Sequence, residues 1–288
     1  MIDPLFVAEA AVNGLLLGGV LALLALGLNL IFGVIDIVWI AYVDLVMICM
    51  YAVYFIVQVY GWPIWAGGLA SVALGAVLGL GVHLLIISPI LTSAPVNQLL
   101  ATGGLLFFLQ SFATFLWTTD HRSVRLALPR LELFDMPISV ARLVAFTLSI
   151  LVMLGLYLFL TRTYIGTAIR AVSQDREAMA LMGANPQRVY LVTSAVGGAM
   201  AGVAAALLII QYAVHPFFGA AFGPITFMIC VLGGLGNMVG AFVASFIMSE
   251  VIAISGVIWS TEMGYVIAFV VFIVMIFVRP GGLLARRS

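Results

Sequence analysis

The feature that most restricts what this chain can become is the length of its apolar runs. They occupy residues 8–33, 37–58, 62–87, 97–117, 139–161, 188–212 and 263–278, with a further, interrupted stretch at 221–256. Most reach the roughly 20 residues that a helix needs to cross the hydrocarbon core of a bilayer. They are near-continuous rather than alternating, unlike the period-two pattern of a membrane barrel. In lipid every peptide group must be satisfied within its own segment, so such spans are helices. The chain is 65% hydrophobic, against roughly 45–50% for a soluble domain. The expected fold is an all-α polytopic membrane protein, a single domain over residues 1–288. It should be a bundle of about eight transmembrane helices, with a glycine-interrupted helix pair near the C-terminus.

The breaks between runs are turn-formers: "GWP" at 61–63, "SPILTSAP" at 88–95, and a 118–138 loop that gathers Asp120, Arg122, Arg125, Arg130, Glu132 and Asp135. Within 221–256 the run is cut by Gly233-Gly234-Leu235-Gly236-Asn237. A glycine-rich break at membrane depth is tolerated where it is buried in protein or lines a cavity. Two short helices are expected, as a re-entrant hairpin or a pair of thin spans; a tight turn at the membrane surface is the other reading. Glycines recur four apart at 14/18, 75/79, 198/202 and 236/240, a spacing that lets helix backbones approach closely in a tight bundle or a dimer. Arginines cluster at 162–188 and at Arg279, Arg286 and Arg287. The positive-inside rule makes both regions cytoplasmic and puts the acidic N-terminus outside. That N-terminus has no basic region of the kind that opens a cleavable signal peptide.

Composition also removes whole classes of chemistry. Net charge is zero, so nothing points to nucleic acid. All eleven basic residues are arginine, which excludes a P-loop lysine for nucleotide phosphates and a Schiff-base lysine. Cys49 and Cys230 sit in apolar runs, where a thiol reads as a small hydrophobe. No Ser-His-Asp set, histidine pair or carboxylate cluster supports catalysis or a metal site, so no enzyme is expected. Ionisable residues inside spans are functional candidates. Asp44 and Glu250 qualify, with Asn29 and Gln110 as polar companions. His83 is expected to satisfy a helix–helix hydrogen bond. His215 belongs to an outer loop, as an ordinary loop residue or at a gate.

One segment departs from the rest. Charged residues make up 8% of the chain, yet "GTAIRAVSQDREAMALMGANPQRV" (Gly166–Val189) holds five of them. Ile169, Val172, Met179 and Met182 fall on one broad helical face. Ser173 or Asp175 caps a second short helix with Glu177 near its positive end, and Gly183 suits a C-cap. Asn185-Pro186 reads as the N-cap and first residue of the next span. The segment is therefore ordered, either as an amphipathic connector in the lipid interface or as a docking surface for a cytoplasmic partner.

This segment closely resembles the cytoplasmic coupling segment of permease subunits of branched-chain amino acid ABC importers. Gly166, Ala168, Arg170, Ala171, Asp175, Ala178, Met182-Gly183 and Asn185 match that pattern, with Ala184 replacing the usual isoleucine. "NGLLLGGVLALLALGLNLIFGV" (13–34), "LLATGGLLFFLQ" (99–110), "HPFFG" (215–219), "VLGGLGNMVGA" (231–241) and "FVRPGGLL" (277–284) resemble other family signatures, so the likeness runs nearly the length of the chain. It implies a subunit of an importer in the bacterial inner membrane that carries branched-chain amino acids or related small amino-acid, amide or carboxylate solutes. It further implies a second homologous permease, two cytoplasmic ATP-binding subunits and a periplasmic substrate-binding protein. ATP would be used by those partners, and no cofactor is expected in this chain. On the same footing the coupling segment is 163–187, with Gly166, Arg170, Asp175, Glu177 and Gly183 meeting the ATPase. Trp39, Tyr42, Asp44, Thr102, Pro216, Gly219 and Glu250 are candidates for the translocation path.

After the first span the family carries Ile-Asn-Phe-Ala-His-Gly-Asp/Glu, and this chain has "VWIAYVD" (38–44). Ala41 and Asp44 match, whereas Trp39, Tyr42 and Val43 stand for Asn, His and Gly. Trp39 and Tyr42 are three apart, hence on one helix face. Either they narrow the path and shift its substrate towards larger or aromatic acids, or they anchor the helix among lipid headgroups. A self-sufficient secondary transporter or channel is the rival reading, and it would have only Asp44 and Glu250 for ion coupling.

Overall fold

A computed structural model describes residues 4–124, 130–133, 136–182, 185–279 and 281–283. Its helices are α1 (Pro4–Ile35), α2 (Tyr42–Tyr54), α3 (Ile64–Val82), α4 (Ser88–Ile90), α5 (Pro95–Trp117) and α6 (Val140–Arg162). They continue with α7 (Tyr164–Gln174), α8 (Arg176–Leu181), α9 (Pro186–Leu208), α10 (Phe218–Gly233), α11 (Met238–Ile258) and α12 (Thr261–Val278). Wide π-helical turns at Phe55–Val59 and His83–Ile87 extend α2 and α3. Among the described residues, eight helices are long and apolar enough to cross a membrane. The chain is a multi-pass helical membrane protein. Among the described residues a small antiparallel hairpin pairs β1 (Arg130–Leu133) with β2 (Met136–Ser139), in register Arg130 to Ser139. The charge-rich loop expected at 118–138 holds part of this hairpin.

Helix α1 runs through the middle of the bundle, packed by α6, α9, α10 and α11, and is the most buried span. Helices α2 and α9 complete the interior, whereas α3, α5, α6 and α12 present much of their surface outward. Because lipid tails are as apolar as leucine, helices here associate through close packing more than through hydrophobic transfer. The α3–α9 seam is built that way. Gly75 and Gly79 face Gly198 and Gly202 so closely that a Cβ on any of them would overlap the opposite backbone. Ser71 Oγ adds a hydrogen bond to Gly202 O at 2.7 Å. The glycine pairs at 75/79 and 198/202 thus meet each other within one chain. Gly14 and Gly18 likewise admit α11, with Glu250 and Ser249 against them.

Three boundaries differ from the sequence reading, each where irregular backbone enters the bundle. The run at 37–58 becomes a helix only from Tyr42, because Asp36 takes a left-handed φ of 64° and residues 37–39 stay out of regular structure. The run at 188–212 stops being helical after Leu208, and residues 209–217, which include Pro216, are turns and irregular backbone up to the start of α10. In the interrupted region only α10, at 16 residues, is short; α11 has 21 and is long enough to cross. Apolar composition gave no warning of the first two, since both stretches stay hydrophobic while losing the helix.

Candidate functional site

Two of those irregular stretches converge on Asp44. The stretch after α1 is held to α5 by Thr102, whose Oγ donates to Val38 O at 3.1 Å. Asp44 follows in the first turn of α2 and is 1% exposed. Gln110, on α5, donates from Nε2 to Asp44 Oδ1 at 3.0 Å. Against the other side lies Gly219, in the first turn of α10, where any side chain would overlap the Asp44 carboxyl group. Pro216 is buried just ahead of it. Asp44, Gln110 and Gly219 therefore meet in one cluster between α2, α5 and α10, whereas Thr102 lies about two turns from Gln110 on α5, bound to Val38. A buried carboxyl group in a membrane bundle is costly and marks a functional position by default.

Trp39 and Tyr42 lie beside this cluster, both fully buried. Trp39 precedes α2 rather than sharing a helix face with Tyr42, and the rings meet edge to face at 5.9 Å. The Tyr42 hydroxyl donates to Gly197 O at 3.0 Å, in the middle of α9. Burial at this depth removes the headgroup-anchor reading. Aromatic residues exposed as that role requires are Tyr60, Trp62 and Trp259 in the turns after α2 and α11, and Trp65 in the first turn of α3. Trp39 Nε1 has no hydrogen-bond partner in its buried position. Glu250 stands apart, on the α1–α11 seam against Gly14.

A second assembly forms at the end of the bundle where α1 terminates. Thr163 caps α7, accepting from Gly166 N at 3.0 Å. Gly166 is buried where a Cβ would lie 2.5 Å from Leu160 Cα, so it lets α7 fold back on α6. Ile169 and Val172 are buried, Met179 is partly so, and Met182 is exposed rather than on their face. Of the two proposed caps for α8, Asp175 serves: its Oδ1 accepts from Ala178 N at 2.9 Å, while Ser173 Oγ turns back to Arg170 O. Asn185 caps α9 through Gln187 N and Arg188 N, with Pro186 first in the helix. Arg170 is exposed on α7, and Arg176 reaches Asp36 at 3.8 Å. Glu177 belongs to α8, but its side chain lies outside the described residues, as does Gly183. A cavity of 340 Å³ opens between Gly33, Val34 and residues Val172–Arg176.

At the opposite end the loop after α5 is clipped to the loop before α10. Arg122 and Val214 exchange backbone hydrogen bonds at 2.9 and 2.7 Å, and the rings of His121 and His215 lie 4.5 Å apart. The Arg122 guanidinium sits 5.7 Å from the Tyr54 ring and 5.6 Å from that of Phe55, a cation–π arrangement. Burial and then the neighbouring His121 hold His215 below the ordinary histidine value. His83, as expected, joins two helices: its Nδ1 lies 2.9 Å from Ser194 Oγ. Among the described residues no group of three or more His, Cys, Asp or Glu is placed to hold a metal ion.

Sequence reasoning took Gln110 and Asn29 only as polar companions. Gln110 in fact holds the carboxyl group, and Asn29 binds the glycine break. The signal available for both was a strong hydrogen-bonding amide in an otherwise apolar span.

Residues 10–276 match the family model described as branched-chain amino acid transport system, permease component. The chain is 30% identical to the high-affinity branched-chain amino acid transport system permease protein LivH of Escherichia coli K12, over 98% of this chain and 96% of that protein. It is 28% identical to the permease protein BraD of Pseudomonas aeruginosa, over 96% of this chain and 95% of that one. No solved structure matches the chain. With the matched region running from α1 through α12, the chain belongs to the family of permease components of branched-chain amino acid transport systems.

Proposed function

We propose that this chain is one of two permease subunits in an ATP-driven importer of branched-chain amino acids or related small amino-acid, amide or carboxylate solutes. A second homologous permease completes the pathway, two ATP-binding subunits supply the energy, and a substrate-binding protein delivers the solute. In this reading residues 163–187 lie in the cytoplasm, the N-terminus lies outside, and the membrane is the bacterial inner membrane. ATP binds the partners; this chain carries no cofactor.

The observation that carries the reading is the α7–α8 element. It is capped at Thr163, Asp175 and Asn185, rooted in the bundle by Ile169 and Val172, and exposes Tyr164, Leu181 and Met182 beside Arg170 and Arg176. An exposed apolar patch rimmed by charges suits a protein partner better than bulk lipid or water. Closure of the ATPases would press on this element, and the bundle would respond by opening Asp44 and its neighbours first to one side and then to the other. Trp39 and Tyr42 would line that route and narrow it. The self-sufficient transporter draws less support, because Asp44 and Glu250 belong to separate packing groups.

Co-expression with the ATP-binding subunits encoded beside this chain, followed by membrane extraction and affinity capture, tests the assignment. A stable complex whose ATP hydrolysis rises with loaded binding protein is expected. Uptake by the isolated chain driven by a proton gradient would instead establish the secondary transporter.

A further inference from the structure

The break between α10 and α11 is built as a joint. Gly234 and Gly236 take φ of 96° and 83°, a region that only glycine enters without strain. Gly234 is buried and Gly236 exposed, and α1 contributes one side chain that binds the backbone at both. Asn29, fully buried, donates from Nδ2 to Asn237 O at 2.9 Å and to Gly234 O at 3.3 Å. Its Oδ1 accepts from Gly236 N at 2.6 Å. A single buried amide thus ties three backbone groups of the joint to α1: Gly234 O and Asn237 O also accept from Asn237 N and Ala241 N, so Asn29 adds a second bond to each, and it supplies the acceptor for Gly236 N.

Two other elements meet the same joint. Asn29 and Gly236 share a 50 Å³ cavity with Ile169, Arg170 and Ser173 of α7. On its other side the C-terminal segment is pinned by Leu283 N donating to Leu232 O at 2.8 Å, with Gly282 packed on Gly234. A Cβ on Gly33, near the end of α1, would lie 2.7 Å from Gly236 Cα. Helix α10 leaves this joint and ends, sixteen residues away, at Phe218–Gly219 against the Asp44 carboxyl group. It is bounded by irregular backbone at both ends, residues 209–217 and 234–237. A short helix between two non-helical joints, even with Pro224 in its interior, is the construction of a moving part, since the joints absorb the dihedral change.

Resting on the reading of the chain as an ATP-driven permease, we propose that Asn29 is a positioning residue that latches the glycine joint to α1, so that displacement of α7 is passed through α10 to Gly219 and the Asp44 cluster. Without the latch, the joint would yield locally and α10 would no longer follow α7. The route runs from α7, which packs on α1 and shares a small cavity with Asn29 and Gly236, through the joint to α10 and Asp44.

The experiment uses the full importer in proteoliposomes, with Ala220→Cys as reporter. Ala220 is exposed at the start of α10, while Cys49 and Cys230 are buried. Its labelling rate by a maleimide is compared with and without ATP plus vanadate, alongside transport of labelled leucine per ATP hydrolysed. In the parent importer the nucleotide changes the labelling rate. In Asn29→Ala that change disappears, and transport per ATP falls by about tenfold while ATP hydrolysis continues. Asn29→Asp, which keeps the acceptor for Gly236 N, falls in between. Should Asn29→Ala fail to assemble, Gly282→Ala loosens the joint from its outer side and must show the same loss of response. A nucleotide response retained in Asn29→Ala, or transport and hydrolysis falling in proportion, overturns the latch alone. A parent importer without any ATPase partner or nucleotide response overturns the permease reading, and the latch with it.

Discussion

Glycine does opposite work in two regions of this bundle. In the α3–α9 seam it is the missing side chain that matters: Gly75, Gly79, Gly198 and Gly202 bring two helices into backbone contact, all with ordinary helical geometry. At the α10–α11 break it is backbone freedom, with Gly234 and Gly236 at positive φ and an amide from another helix bound to both. The seam fixes two long spans as one body. The break separates a short helix from its successor. A sequence carries the same letter in both places, and only the third dimension tells a weld from a joint.

The largest effect should come from breaking the weld. Gly198→Leu drives a side chain into the Gly75 and Gly79 backbone, which cannot retreat as the end of a flexible side chain would. Overpacking of this kind costs about 3 kcal/mol or more. Loss of folded protein is expected, visible as a collapsed peak in size-exclusion chromatography after detergent extraction. Wild-type yield and melting temperature from this variant would mean that the seam is not rigid.

A smaller, more selective effect is expected at the far end of α10. Gly219→Ala puts a methyl group onto the Asp44 carboxyl group without touching the seam. The carboxyl group must rotate and lose its hydrogen bond from Gln110, worth roughly 1–2 kcal/mol. Transport should drop by about tenfold with the melting temperature within a few degrees of the parent. Gln110→Ala should give a milder version of the same phenotype. Equal damage to stability and transport would assign the cluster to packing alone.

The clip between the two loops at the other end offers a pH test. His215 is held below its ordinary value, by burial first and then by His121, with Arg122 and Asp120 adjacent in the same loop. A lowered value means that the closed loops bind fewer protons than separated ones. The contact is therefore fully present above the usual histidine range and is lost as pH falls through the lowered value. Proteolytic nicking of the 118–124 loop should rise between pH 7.5 and 5, and His215→Gln should flatten that dependence. A flat profile in the parent would remove the histidines from the clip and leave the Arg122–Val214 backbone pair to hold it.

How much of this was legible depends on the range of the interactions. Spans were readable because length and apolarity are local, and so were the Asn185-Pro186 start of α9 and the capping role of Asp175. The His83 contact was expected in kind, since a buried imidazole needs a partner, though nothing local named Ser194. The Asp44 cluster and the Asn29 latch join residues 66 to more than 200 positions apart. Such pairings leave no periodic trace, and a polar residue in an apolar run announces that it has a partner without saying which. The entry of residues 36–41 into the bundle was hidden for a related reason: a stretch buried by protein has the same composition as one buried by lipid.

The smallest effect separates the joint from what surrounds it. Arg176 and Asp36 link α8 to the end of α1 at 3.8 Å, near the Asn29 latch, but their side chains are 48% and 69% exposed. An exposed pair at that separation is screened by water and salt and contributes less than about 1 kcal/mol. Asn29, itself fully buried, meets the same region through three hydrogen bonds to the joint. Arg176→Ala should therefore leave melting temperature unchanged and shift transport per ATP by no more than about twofold, with the difference vanishing in high salt. A loss as deep as that of Asn29→Ala would move the connection between α7–α8 and the bundle out to this surface pair, and α10 would lose its place as the carrier of the motion.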